Sequence, residues 1–139
     1  MRLYSCARIG PDGPIAPAPE LLTLADMEYR PQALGASVRR VREVLPTTPV
    51  VVTENGIATA DDTQRITFID EALRGLAAAV TDGADVRGYF HRSLLDNFEW
   101  FHGYRPTFGL IAVDRTSFVR TPKPSLAWLG AYGARHASS

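Results

Sequence analysis

Apolar and polar positions along the chain alternate between two patterns. Leu34, Val38, Val41 and Leu45 recur at spacings of four and three, which predicts an amphipathic helix opening near Pro31 and closed by Pro46, with Gly35 inside it. The continuous valine run of "TPVVVTENG", bounded by Pro49 and Gly56, predicts a strand buried on both faces, as parallel strands are. A second helical stripe follows in Ile66, Ile69, Leu73, Leu76 and Val80, with Asp61 or Asp62 as its cap and Gly83 at its end. "DVRGYFHRSLL" reads as another buried strand, and "DNFEWFHGYRPT" as a long loop. "FGLIAVD" and "SFVRT" predict a hairpin across "DRTS", and Pro124 opens a terminal helix through "SLAWLGAYGARH".

Before the first helix the pattern is weaker. "RLYSCARI" reads as a short strand, and "GPDGPIAPAPE", with two glycines and four prolines, as a loop. The predicted order is strand, helix, strand, helix, strand, hairpin, helix. That is an α/β chain built from right-handed βαβ units on a parallel sheet. Glu54 and the residues after Phe90 would then share the carboxyl edge of that sheet, where active sites of barrels and open α/β sheets form.

Composition narrows the function classes. The 139 residues suit one domain, 45% of them apolar and 22% charged, with Lys+Arg and Asp+Glu balanced at 15 each. No field of one sign would draw nucleic acid or an anionic membrane. Cys6 is the single cysteine, and no Cys/His cluster has metal-ligand spacing, so neither a metal nor another cofactor is expected. The N-terminus lacks the apolar core of a secretory signal, and no apolar run approaches the roughly 20 residues of a membrane span. A soluble, cytoplasmic protein with neither nucleic-acid nor membrane partners is expected.

Two places carry candidate chemistry. Glu54, at the end of a strand and beside Asn55, is either a catalytic carboxylate in a cleft or part of a T-E-N-G turn in which Asn-Gly supplies positive φ. The second place is "SLLDNFEWFHGYRPTFG", residues 93–109. It mixes Asp96, Asn97, Glu99, His102 and Arg105 with Phe98, Trp100, Phe101, Tyr104 and Phe108. A sugar cleft needs that mixture, because aromatic rings cover the C–H faces of a pyranose while carboxylates and amides bind its hydroxyls. The other reading is an aromatic loop packed on the terminal helix. His91 and His102 have no Ser or Cys nucleophile in a recognisable frame, Lys123 reads as a solvated turn residue, and no dinucleotide or P-loop motif occurs.

Together, "VVTENG" and "GYFHRSLLDNFEWFHGYRPTFGLIAVD" resemble the C-terminal part of family 1 glycoside hydrolases, the β-glucosidase family. The resemblance runs from "DMEYRPQAL" to "TPKPSLAWL"; residues 1–24 match poorly, and 25–139 correspond to C-terminal barrel units. It implies an incomplete (β/α)₈ barrel, with "VVVTE" as strand seven, "VRGYF" as strand eight, and at most part of strand six before them. It also implies a retaining β-glycosidase whose substrate is a small β-glycoside or oligosaccharide. Glu54 matches the family's nucleophile, supported by Asn55. Glu99 and Trp100 match the pair that holds the glycone hydroxyls, and Phe108 an aromatic wall of that subsite. The Glu99-Trp100 pair implies unphosphorylated glucose or galactose.

This sequence departs from the family pattern in two ways. Arg92 stands where the family has the Trp beneath the sugar. The family's general acid/base Glu lies in an N-E-P motif, which these 139 residues do not contain. Neither Asp96, expected to brace its loop, nor Glu43, expected on a helix away from the sheet, replaces it. The implied partner is a chain supplying the N-terminal barrel. The expected alternative is a non-catalytic remnant, or a complementing or sugar-binding fragment.

Overall fold

The computed structural model describes residues 1–136. Its elements are β1 (Arg8–Gly10), β2 (Gly13–Ile15), a 3₁₀ turn at Pro19–Leu21, α1 (Ala33–Val44), β3 (Val50–Asn55), α2 (Asp62–Thr81), β4 (Val86–His91), β5 (Ile111–Val113), β6 (Arg120–Pro122) and α3 (Pro124–His136).

The centre is a parallel β3–α2–β4 unit in which Val50 pairs with Val86 and Val52 with Tyr89. Met1–Leu3 lies along the other edge of β3. There Leu3 N donates to Glu54 O at 2.9 Å, and Thr53 N donates to Met1 O at 2.7 Å. Only Arg2 of this edge segment forms a bridge, with Glu54. The strand expected over residues 2–9 therefore divides into this edge segment and β1. The expected Pro-rich loop is partly a hairpin, with Ile9 opposite Pro14 and Gly13 turning at φ +118°. Pro14 fits because a two-stranded ribbon leaves it an edge where no N–H is needed.

α1 and α2 cover one face of the sheet. Leu34 and Val38 of α1 meet Phe68, Ile69, Ala72, Leu73 and Leu76 of α2 over Val50 and Val52. The helices approach closely at two glycines: a Cβ on Gly35 would sit 2.5 Å from the Gly75 carbonyl oxygen. The stripes differ from expectation at their ends. Leu45 and Val80 are exposed, Ile66 is half-buried, and Phe68, Ala72 and Ala79 fill the core instead. Asp61 caps α2 by accepting from Thr63 N at 2.9 Å, and Gly83 ends it at φ +96°.

The strands are not buried on both faces. Val51 is 38% and Phe90 62% exposed on the side away from the helices, and the sheet does not close into a barrel. The hairpin of β5 and β6 forms as expected, with Ala112 opposite Thr121. Among the described residues no helix is long and apolar enough to cross a membrane, and no group of three acidic, His or Cys side chains could hold a metal.

Candidate active site

β3 brings Glu54 to its carboxyl end, where the ladder with β4 slips between Val52 and Asn55. Asn55 is buried and braced on both sides: its Nδ2 donates to Leu3 O at 2.8 Å, and Tyr89 OH donates to its Oδ1 at 3.0 Å. Neither Asn55 nor Gly56 has positive φ, so the turn chemistry expected of Asn-Gly is not what this site uses. Gly56 is needed for space, because a Cβ there would overlap the Arg92 carbonyl oxygen.

Glu54 is half-buried, and its Oε2 accepts a hydrogen bond from Tyr4 OH at 2.5 Å. Burial, then this contact, push the Tyr4 phenol well above the usual tyrosine range, so it remains a proton donor. The Tyr4 ring meets Phe108 edge-on, with centroids 5.8 Å apart, and Phe108 is buried. Arg92 lies over the same two rings, its guanidinium carbon 4.9 Å from the Phe108 centroid and 5.9 Å from that of Tyr4. Its Nη2 donates to Glu99 Oε1 at 2.6 Å. Glu54, Arg92, Glu99, Trp100 and Phe108 all line one cavity of about 410 Å³, together with Tyr4 and Arg2.

The rings of the aromatic loop meet one another and solvent. Phe98 sits edge-on to Trp100 and Tyr104, while Trp100 is 87% and Phe101 97% exposed. Arg105 pairs with Asp26 at 3.0 Å, and His102 lies 3.6 Å from the same carboxylate. Asn97 stays outside the cavity, and Glu43 pairs with Arg40 on the surface of α1. Lys123 is no solvated turn residue: it bonds Asp96 and Gly109 O at 2.8 Å in a largely buried pair. The carboxylate it meets also accepts from Gly109 N at 2.7 Å, which fixes the backbone beside Phe108.

Three structural side chains were not evident from the sequence. Tyr4 comes from fifty residues upstream, with no local signal. Arg2 reaches the cavity from the same edge segment. Arg65 is fully buried, and its Nη2 donates to Thr59 O and Thr107 O, both at 2.7 Å. That clamp joins the loop after Glu54 to the loop before Phe108, and Asp62 pairs with the same guanidinium while accepting from Ser125 N and Oγ. The available signal was an arginine on the buried face of α2, in register with Phe68, Ile69 and Ala72.

His91 is half-buried, but both its ring nitrogens are shut off from solvent and have no partner among the described residues. Burial, aided by the Arg65 charge, pulls its pKa down to about 4, so it is neutral near pH 7.

A carboxylate at the carboxyl edge of parallel strands, facing aromatic rings in a cleft, is the build of a carbohydrate-active α/β enzyme. Comparison with known proteins supplies the family: the model of glycosyl hydrolase family 1 matches residues 20–137, and the chain belongs to that family. A bifunctional β-D-glucosidase/β-D-fucosidase of Bifidobacterium breve is 39% identical over 121 residues, covering 78% of this chain and 26% of that protein. "Probable inactive beta-glucosidase 14" of Oryza sativa subsp. japonica is 42% identical over 109 residues, 70% of this chain and 21% of that protein. The apo structure of a β-glucosidase, 1317, superposes with a TM-score of 0.89 at 46% identity, over 96% of this chain and 33% of that one. The chain thus spans about a quarter of these curated relatives and a third of the solved β-glucosidase.

Proposed function

We propose that this chain forms the glycone side of the active site of a retaining β-glycosidase, with β3 and β4 as the seventh and eighth strands of the barrel and residues 25–139 as its closing units. The substrate is a terminal, unphosphorylated β-linked glucose or galactose. Glu54 attacks the anomeric carbon, the bond to the aglycone oxygen breaks, and water later releases the sugar from the glycosyl ester. Glu99, Trp100 and Phe108 hold the sugar. The observation that carries this reading is Glu54 Oε2, held by Tyr4 at 2.5 Å in the cavity that also contains Glu99 and Phe108.

A retaining mechanism needs a second carboxyl group about 5–5.5 Å from the nucleophile. The carboxylates lining the cavity are Glu54 and Glu99, and Glu99 is bound to Arg92. With no further acid among the described residues of the cavity, these residues alone would turn over ordinary glycosides about 10²–10⁴-fold more slowly, the usual contribution of such a group. A leaving group that departs unprotonated isolates the Glu54 step. Incubation with 2,4-dinitrophenyl 2-deoxy-2-fluoro-β-glucoside should give a covalent adduct by intact mass, mapped to Glu54 and lost in Glu54→Gln. A folded sample without adduct would refute the proposal.

The Arg92–Glu99 ion pair favours a second reading, a non-catalytic sugar-binding or complementing fragment, since it occupies the carboxylate needed for sugar hydroxyls. Under that reading, co-expression with a chain supplying the N-terminal barrel restores hydrolysis that neither chain has alone.

A further inference from the structure

The glycone reading leaves one side chain unexplained. Arg92 enters the cavity as a cation, 26% exposed, bound to Glu99 through Nη2 while its guanidinium rests on the Phe108 ring. Nε and Nη1 donate to no carboxylate or carbonyl among the described residues. Arg2 lines the same cavity and forms no ion pair among those residues. A neutral sugar that needs both oxygens of Glu99 for its hydroxyls competes with the 2.6 Å contact to Oε1, and breaking it would strand a partly desolvated guanidinium. A ligand carrying a carboxylate leaves that contact intact, because a guanidinium presents a planar fork of donors and can serve two carboxylates at once.

We propose that Arg92 makes this pocket select sugar acids: β-glycosides whose glycone is a glucose or galactose unit oxidised to the carboxylate at C6. The ligand carboxylate takes the free edge of the Arg92 guanidinium, and Arg2 adds a second positive charge that offsets Glu54 and Glu99. This inference rests on the cavity being a glycone site and specifies the chemical class that the site prefers.

The test is a titration of the 139-residue chain with methyl β-D-glucopyranoside, methyl β-D-glucopyranosiduronate and acetate, followed by ¹⁵N chemical shifts. The glucuronide should bind at least tenfold tighter than the glucoside, should weaken severalfold between 20 and 300 mM NaCl (about the range over which screening becomes strong), and should lose its advantage in Arg92→Gln and Arg92→Trp. The salt dependence keeps the test decisive if both variants unfold. Equal affinity for glucoside and glucuronide would overturn the proposal while leaving the glycone site standing. Acetate binding as tightly as the glucuronide would reduce the site to a general anion site and also overturn it. Binding of neither sugar, by wild type or variants, would reject the glycone reading and the proposal with it.

Discussion

Tyr4 OH donates to Glu54 Oε2 at 2.5 Å, linking the edge segment at the start of the chain to the carboxyl end of β3. A hydrogen bond to a charged acceptor contributes about 1.5–3 kcal/mol, and it fixes which carboxylate oxygen faces the cavity. Tyr4→Phe should therefore slow labelling of Glu54 by the fluoroglucoside about 10- to 100-fold. Rates of adduct growth by mass spectrometry check this; an unchanged rate in a folded variant would show that the phenol does not position the carboxylate.

Two glycines in helices should respond to alanine with opposite signs. Gly→Ala gains about 1 kcal/mol of intrinsic helix propensity. At Gly35 the new Cβ would meet the Gly75 carbonyl oxygen, a backbone atom that no rotamer change removes, so overpacking of about 1–3 kcal/mol outweighs the gain. At Gly130 of α3 an added Cβ would meet no atom of the described residues within 4 Å beyond its own helix backbone, and the gain stands. Thermal denaturation should place Gly35→Ala below wild type and Gly130→Ala above it.

Removing one partner of the buried Lys123–Asp96 pair leaves a charge without compensation. Lys123→Met should cost about 3–5 kcal/mol, the usual penalty for stranding a buried ion. Adding Asp96→Asn should recover most of that loss, because the amide oxygen can still accept from Gly109 N. Urea denaturation of the single and double variants decides; no recovery would mean the charge of Asp96 is not what Lys123 offsets.

His91 makes stability fall with acid. Its pKa is about 4 in the folded chain and about 6.5 when unfolded, so between these values the unfolded state binds the extra proton. The contribution is complete above about pH 6.5 and is lost as pH falls toward 4, up to about 3 kcal/mol. His91→Leu should flatten the stability profile over that window. A profile equally steep in the variant would assign the acid sensitivity to other groups.

Local pattern fixed much of the fold. The valines of β3, the stripes of α1 and α2, Gly83, Pro124 and the β5–β6 hairpin were legible because strand and helix periods depend on near neighbours. The expected Pro-rich loop became a hairpin because residues 8 and 15 pair across a turn that composition does not reveal. Lys123 read as solvated because its partner, Asp96, is 27 residues away.

The sequence by itself carried the family and the α/β order, and singled out Glu54, Glu99, Trp100, Phe108 and Arg92 as candidates, which the structure places around one cavity. These depend on the order of residues within two motifs. Only the tertiary structure decided what each carboxylate touches: Tyr4 on Glu54, Arg92 on Glu99, and Arg65 holding the two loops together. Hydrogen bonds and ion pairs act over about 3 Å, and only folding brings such distant residues that close.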